Sequence, residues 1–409
     1  MNTKTQQTTK YKNSPLGLIP EDWEVKKVSN FGKVYTGNTP PTNDQENYGN
    51  EFMFVSPGDL GISKYILNTE KRLSEKGFLF SRKFKKGSVL FTCIGSTIGK
   101  SGIAMEDLTS NQQINAITVN QNNHNEFLFY QLQRNFKQIK LLAGEQAVPI
   151  INKSQFEQIK LLCAPLPEQK AIADCLSTWD QTIEKQTALI AQKGLSKKAL
   201  MQQLLSGKKR LKGFGGKWEV KPLNELLIYT PREVDKPKTP FLALGLRSHG
   251  KGVFHKNDFD PKTIAMNKLY VVKENDLVIN ITFAWEQAVA IATKKDDGGL
   301  VSHRFPTYTF NDENTTFLYF KFFILGTKFK SMLDLISPGG AGRNRVMSKK
   351  DFLKLEIKLP SVEEQMAIAN ILECADEEIQ LLKKKLDQLK EQKKGLMQVL
   401  LTGKKRLRY

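Results

Sequence analysis

LLSGKKRL at Leu204–Leu211 and LLTGKKRL at Leu400–Leu407 are the same eight residues but for one hydroxyl side chain exchanged for another. Working back from each, Glu168-Gln169 recurs as Glu364-Gln365 at the same separation of 196 residues. Aligned without gaps, 168–211 and 364–407 share 21 identities in 44 positions. An internal copy of this quality fixes the organisation of the chain before any element is assigned. The repeat also reaches outward. Trp23-Glu24-Val25-Lys26 recurs as Trp218-Glu219-Val220-Lys221, Asn125–Tyr130 (NEFLFY) is echoed at Thr315–Phe320 (TTFLYF), and Phe156 corresponds to Phe352. The order is divergent domain, similar helix, divergent domain, similar helix.

The repeated segments Glu168–Leu205 and Glu364–Leu401 contain no proline, and each is followed by a glycine, Gly207 or Gly403, suited to a helix C-terminus. Ser361-Val-Glu-Glu364, just after Pro360, spells a capping box. In the second copy Leu372, Ala375, Ile379, Leu382, Leu386, Leu389, Lys393, Leu396 and Leu400 alternate by three and four, the spacing of a coiled-coil seam. The matching positions of the first copy are Leu176, Trp179, Ile183, Gln186, Ile190, Lys193, Lys197, Leu200 and Leu204, a more polar seam. At 1.5 Å per residue each helix runs about 55–60 Å, too long for an ordinary domain core. The spacing predicts two helices that pack on each other antiparallel, as a spacer. The alternative is that each folds back onto its own domain.

Lys and Arg outnumber Asp and Glu by 62 to 42 over 409 residues, a formal charge of +20. That excess suits an acidic partner, nucleic acid first, though a merely basic soluble protein has the same composition. The N-terminal MNTKTQQTTKYK has no apolar stretch of the kind a signal peptide needs. Phe317–Leu325, the longest apolar run, is interrupted by Lys321 and is far short of the roughly 18 residues of a membrane span. Cys93, Cys163, Cys175 and Cys374 lack metal-ligand spacing, so no zinc site and no disulfide framework is expected. A cytoplasmic chain without a membrane segment is expected.

Phe91–Ser101, FTCIGSTIGKS, nearly spells a phosphate-binding loop, but Gly95 and Gly99-Lys100-Ser101 are one residue too close for that motif. Aligned with the second copy, VLFTCIGSTIGKSGIA faces LVINITFAWEQAVAIA, where Gln287-Ala288 replaces Gly99-Lys100. Both copies read strand, loop, strand. No Asn-Pro-Pro-Phe/Tyr stretch, glycine-rich cofactor loop, nuclease carboxylate grouping or recurring Ser/His/Asp set is present. No catalytic residues and no metal ligands are assigned.

The divergent domains mix short β-like runs (Phe52–Val55, Ser88–Thr92, Asp276–Thr282) with a few helices, an α/β or α+β composition. Polar residues suited to DNA stand in their loops: Thr36, Asn38, Thr39, Ser96, Thr97, Lys100 and Asn111-Gln112-Gln113 in the first copy. In the second they are Arg247, Ser248, His249, Lys251, Trp285, His303, Arg304 and Arg343-Asn344-Arg345. Asn and Gln pair with adenine, Arg with guanine, and Ser, Thr and Lys with phosphates or base edges. Taken singly, each is more often a turn or solvated residue than a base reader, and His303 equally suits a hydrogen-bonded core position. Gly339–Gly342 reads as a turn. Lys208-Lys209-Arg210 and Lys404-Lys405-Arg406 fall at equivalent helix ends, where cations suit the helix dipole and phosphates, or serve as plain solubilising caps.

Taken together, the chain resembles the specificity subunits of type I restriction-modification systems. PEDWEVKKVSNF (20–31), TGNTPPTNDQENYGNEFMFVSPGDL (36–60), KGSVLFTCIGSTIGKSGIA (86–104), PLPEQKAIADCLSTWDQTI (165–183) and LPSVEEQMAIANILECADEEI (359–379) carry the resemblance, in order, over essentially the whole chain. GLRSHGKGVF and NITFAWEQ depart from the first copy, as in family members that read two different half-sites.

The resemblance implies two globular target recognition domains, 1–163 and 213–358, separated by two long antiparallel coiled-coil helices in 164–212 and 359–409. It implies a bipartite, asymmetric double-stranded DNA site, with two methyltransferase subunits docked on the helices and motor-nuclease subunits joining the complex. S-adenosylmethionine would belong to the methyltransferases, ATP and Mg to the motor-nuclease, and no cofactor to this chain, which is then not an enzyme. A DNA-independent coiled-coil adaptor and a cryptic ATP-binding enzyme are the rival readings.

Overall fold

The computed structural model describes residues 10–144, 147–339 and 345–407. The chain divides into two compact units, Met1–Thr187 with Lys385–Tyr409, and Ala188–Lys384. The division falls inside both long helices, Leu166–Leu204 and Val362–Leu400, so the first unit is completed by the last part of the chain.

In the first unit a five-stranded sheet runs in the order Gly32–Thr36, Ile114–Val119, Val89–Thr92, Ser101–Ala104, Tyr65–Ile66. A second five-stranded sheet holds Tyr48–Gly49, Lys71–Leu73, Phe52–Val55, Leu108–Ser110 and Lys83–Phe84. The second unit has a four-stranded sheet of Leu227–Tyr229, Thr307–Phe310, Leu277–Ile279 and Val289–Ile291. Its five-stranded sheet ends in the hairpin Phe241–Leu246 and Val253–Phe259. The repeated WEVK sequence explains a feature common to both units. Glu24–Lys27 pairs antiparallel with Lys160–Cys163, and Glu219–Pro222 with Glu356–Leu359, each ribbon leading straight into a long helix. Phe156 and Phe352, each fully buried just before that ribbon, anchor equivalent cores. Emptying either site to alanine would cost about 3–5 kcal/mol.

The long helices are antiparallel within each unit. In the first, Asp180 pairs with Lys393 at 2.5 Å and Glu168 with Arg406 at 2.5 Å, so climbing one helix means descending the other. In the second, Lys193 meets Glu378 at 2.6 Å, Lys197 meets Asp376 at 2.5 Å and Arg210 meets Glu364 at 2.6 Å, again with opposite directions. Leu176, Leu204, Leu372 and Leu400 are buried; Ile183, Ile190, Leu200, Ile379, Leu382, Leu386, Leu389 and Leu396 are half-buried. Each core takes in the start of one helix and the end of the other: Ile172 and Leu176 with Leu400 and Leu401, and Ile368 and Leu372 with Leu204. Half-exposed ion pairs are worth little beside that apolar burial.

The ends of the helices correct one expectation. Arg210 and Arg406 face carboxylates rather than phosphates. Arg406 donates to buried Glu168 at 2.5 Å and bidentately to Asp22 at 2.9 and 2.7 Å, while Trp23 Nε1 donates to Glu168 at 2.8 Å. Arg210 grips Glu364 through two bonds of 2.7 and 2.6 Å. Lys217 stands where Asp22 stands in the first unit, and Trp218 Nε1 has no hydrogen-bond partner among the described residues, so the second clasp is the poorer one.

A polar junction fastens the globular part of the first unit to its long helix. Glu126, on the helix Asn125–Leu141, accepts from Lys64 at 2.9 Å and from Tyr65 and Ser177. Burial opposes the charged form of Glu126, but the bonds from Ser177, Tyr65 and Lys64 outweigh it and hold its carboxyl below the ordinary 4.5. A depressed carboxylate stabilises the fold above its unfolded value, and that stability is lost as pH falls below 4.5. The protection of Asn125–Leu141 amides, measured against their intrinsic exchange rates, is therefore expected to fall on acidification to around pH 3.5, and Glu126→Gln to abolish that dependence. Identical acid sensitivity in the two proteins would exclude Glu126 as its origin. In the second unit Thr316 occupies the equivalent position and carries no charge.

Candidate nucleic-acid interface

Register places the sequence-selected loops of the first unit together. Thr36 lies opposite Asn115, Thr92 opposite Ile114, and Phe91 opposite Ser101. Loops 36–40, 93–100 and 111–113 therefore all leave the same end of one sheet. There Thr39 Oγ1 donates to Gln112 Oε1 at 2.7 Å and Asn111 Nδ2 to Gln113 Oε1 at 3.0 Å. The loops approach so closely at Gly37 that a Cβ would lie 2.3 Å from the Asn111 carbonyl oxygen. Thr36 is held inward, its Oγ1 donating to Asn115 Oδ1 at 2.7 Å. Ser96 is exposed, and Thr97 and Lys100 are half-exposed. Arg82 joins this cluster unannounced by the sequence. Its N–H donates to Asn38 Oδ1 at 2.6 Å and its guanidinium to the Thr36 carbonyl at 2.8 Å, with the side chain otherwise exposed.

The near-P-loop has no phosphate cradle to offer. The backbone N–H groups of Cys93, Gly95, Ile98, Gly99 and Lys100 all donate to main-chain carbonyls. Such a loop is a folded hairpin end, with these five donors already used.

The second unit builds the equivalent end from different residues. Leu277 lies opposite Tyr308 and Val278 opposite Thr307, so loops 280–288 and 302–306 emerge together. The turn of the long hairpin folds onto them: His249 N–H donates to the Glu286 carbonyl at 2.7 Å and Gly250 N–H to the Gln287 carbonyl at 2.9 Å. His249 adopts φ 62°, a left-handed conformation unusual for a side chain of its size. Ser248 Oγ donates to the Glu286 carboxylate at 2.5 Å, and Arg247, His249 and Lys251 are exposed. Arg304 is exposed and donates to Thr282 Oγ1 at 3.1 Å; His303 is exposed beside it. Arg345 lies 5.2 Å over the Trp285 ring and donates to Asp334 at 2.7 Å, so its charge is largely engaged within the protein. Arg343 and most of the Gly339–Gly342 turn lie outside the described residues.

Each unit thus ends in a compact group of amides, hydroxyls and cations, on sequence that the internal repeat does not preserve. Among the described residues no group of three or more His, Cys, Asp or Glu is placed to hold a metal ion. Among them, too, no helix is long and apolar enough to cross a membrane.

The model of the type I restriction modification DNA specificity domain matches this chain twice, at 20–192 and 216–391. The chain belongs to that family. Within it, the MjaVIII type I restriction enzyme specificity subunit of Methanocaldococcus jannaschii is 27% identical, over 95% of this chain and 94% of its own. The putative MjaX specificity subunit of the same organism is 28% identical over 97% of each chain. Solved structures share the specificity-subunit fold. The S subunit of M. genitalium superposes with a TM-score of 0.55 at 14% identity, covering 96% of this chain and 98% of its own. A chain from work on complex assembly and conformational transition of the type I R-M system gives a TM-score of 0.60 at 16% identity, covering 94% and 99%. The fold expected from the repeat, two α+β specificity domains with two long helices, is the fold of this family.

Proposed function

We propose that this chain is the address-reading subunit of a type I restriction-modification complex. Each unit reads one half of a bipartite, asymmetric DNA site through the loop group at its sheet end. The long helices dock two methyltransferase subunits, which bind S-adenosylmethionine and flip adenines out of the duplex, since base flipping needs a pocket and cofactor site of its own. Motor-nuclease subunits supply ATP and Mg chemistry to the complex, and this chain performs none.

The observation that carries the reading is a division of labour within the sequence. What the repeat preserves builds the helices and clasps, while the cation- and amide-bearing loops differ between copies. A net charge of +20 supplies the sequence-independent attraction to phosphates. The test is a genome-wide map of N6-methyladenine in cells with and without this gene. One bipartite motif is expected to lose its methylation in the deletion; an unchanged map refutes the reading. A DNA-indifferent adaptor is separated from it by duplex binding without sequence preference. An ATP-binding enzyme is separated by titration of the isolated chain with ATP, for which no saturable binding, and no effect of Lys100→Ala, is expected.

A further inference from the structure

We infer that Ile150 and Val346 are base-contacting residues, each meeting the 5-methyl group of a thymine in the major groove. The inference rests on the DNA-reading role proposed above. The two positions correspond under the 196-residue repeat, although neither was selected from the sequence. Ile151 N–H donates to the Cys93 carbonyl at 2.8 Å, and Met347 N–H to the Ile281 carbonyl at 2.8 Å. Cys93 and Ile281 are equivalent residues of the loops leaving the inner strands, so the same main-chain bond pins both segments onto the reading end of their sheets. In the first unit the Gly95 N–H to Pro149 carbonyl bond of 2.9 Å and an Ile94–Ile150 bridge secure the segment further.

What these segments present is apolar. Ile150 is 42% exposed and Val346 46% exposed, beside loops that carry amides, hydroxyls and cations. A single exposed aliphatic side chain needs no explanation. A β-branched aliphatic at the same place in two units whose loops otherwise diverge does need one. Val148, 55% exposed, enlarges the apolar surface of the first unit, and in the second the Arg345–Trp285 pair stands beside Val346.

The one apolar group on the base edges of the major groove is the thymine methyl, and aliphatic contact with it distinguishes thymine from cytosine. Gln112 and Gln113 on the neighbouring loop carry the amides that pair with adenine, so both edges of one A·T pair are within the chemistry of this cluster.

The experiment is a thymine-to-uracil scan, because uracil keeps every hydrogen-bonding group and lacks only the methyl. Duplexes carrying the chain's own methylated motif are titrated with the full chain bound to its methyltransferase subunits, as wild type, Ile150→Ser and Val346→Ser. In the wild type one uracil in each half-site is expected to weaken binding about tenfold, the low end for one buried methyl. Ile150→Ser should be insensitive to uracil in the first unit's half-site only, and Val346→Ser in the other only. Each variant's retained response in the untouched half shows that it is folded. A half-site without thymine, no uracil effect in the wild type, or full sensitivity in the variants overturns the inference while sequence-specific binding leaves the DNA-reading role standing. Binding without sequence preference in the wild type overturns both.

Discussion

Arg406→Ala destabilises the first unit by about 3 kcal/mol, because it leaves the carboxylate of Glu168, 0% exposed, buried without its cation. The indole N–H of Trp23 remains on Glu168, and water reaches the edge of the guanidinium, which keeps the loss towards the lower end for a broken buried pair. Burial opposes the charge of Arg406, but the bonds to Glu168 and Asp22 outweigh it and raise its affinity for its proton, so in the wild type this cation is present at every accessible pH. Urea denaturation followed by hydrogen exchange in the helix Asn125–Leu141 reads the effect where it arises. Replacing the pair together, Glu168→Gln with Arg406→Leu, should recover part of the loss, since it removes the uncompensated charge. A single variant as stable as the wild type would mean that Glu168 is solvated or protonated in the folded protein.

Exchanging residues 24–163 for the equivalent segment of another family member replaces one half of the methylated motif and leaves the other untouched. These boundaries keep Asp22, Trp23 and Glu168, and hence the clasp, in place. The incoming domain must also supply an amide for the Leu401 carbonyl, which here accepts from Gln131 at 3.0 Å. Every base pair that differs in the new half-site costs about 1–3 kcal/mol on the old sequence, so three changes suffice to abolish the original address. Methylation mapping of cells expressing the exchanged protein decides the matter. A motif altered in both halves would show that the two sets of loops do not read independently.

How far this was legible without coordinates depends on the range of each interaction. The helices were visible because proline-free, three-four spaced apolar residues leave a local signal; Leu166–Leu204 and Val362–Leu400 begin two residues before the repeat's Glu-Gln and end one before its leucine pair closes. Most strands were not, since many run for only two to four residues, such as Tyr65–Ile66 and Lys83–Phe84, too few for a period to register. The motif Trp-Glu-Val-Lys announced itself by recurring, but not that Trp23 serves a carboxylate 145 residues away. The sequence offered Arg406 only a helix dipole, phosphates or a solubilising role, because its true partner lies 238 residues distant. Among the candidate DNA residues, spacing brought out the loops and could not tell which members turn inward, as Thr36 does, or are engaged within the protein, as Arg345 is. Arg82 carried no signal at all, since it reaches its loop from another sheet.

The completion of the first unit by Lys385–Tyr409 has a consequence for birth rather than for recognition. When Thr187 leaves the ribosome, the surface awaiting Leu400, Leu401 and Arg406 has nothing to cover it, and Glu168 has no cation. The whole of Ala188–Lys384 must be synthesised first, which takes about 10–40 seconds at 5–20 residues per second. Through that interval the earliest-made domain waits with an apolar seam and a buried acid exposed, while the later-made one already has every segment it needs. A nascent chain of this design closes in the reverse of the order in which it is read, and a message cut short near its end leaves open the domain that was translated first.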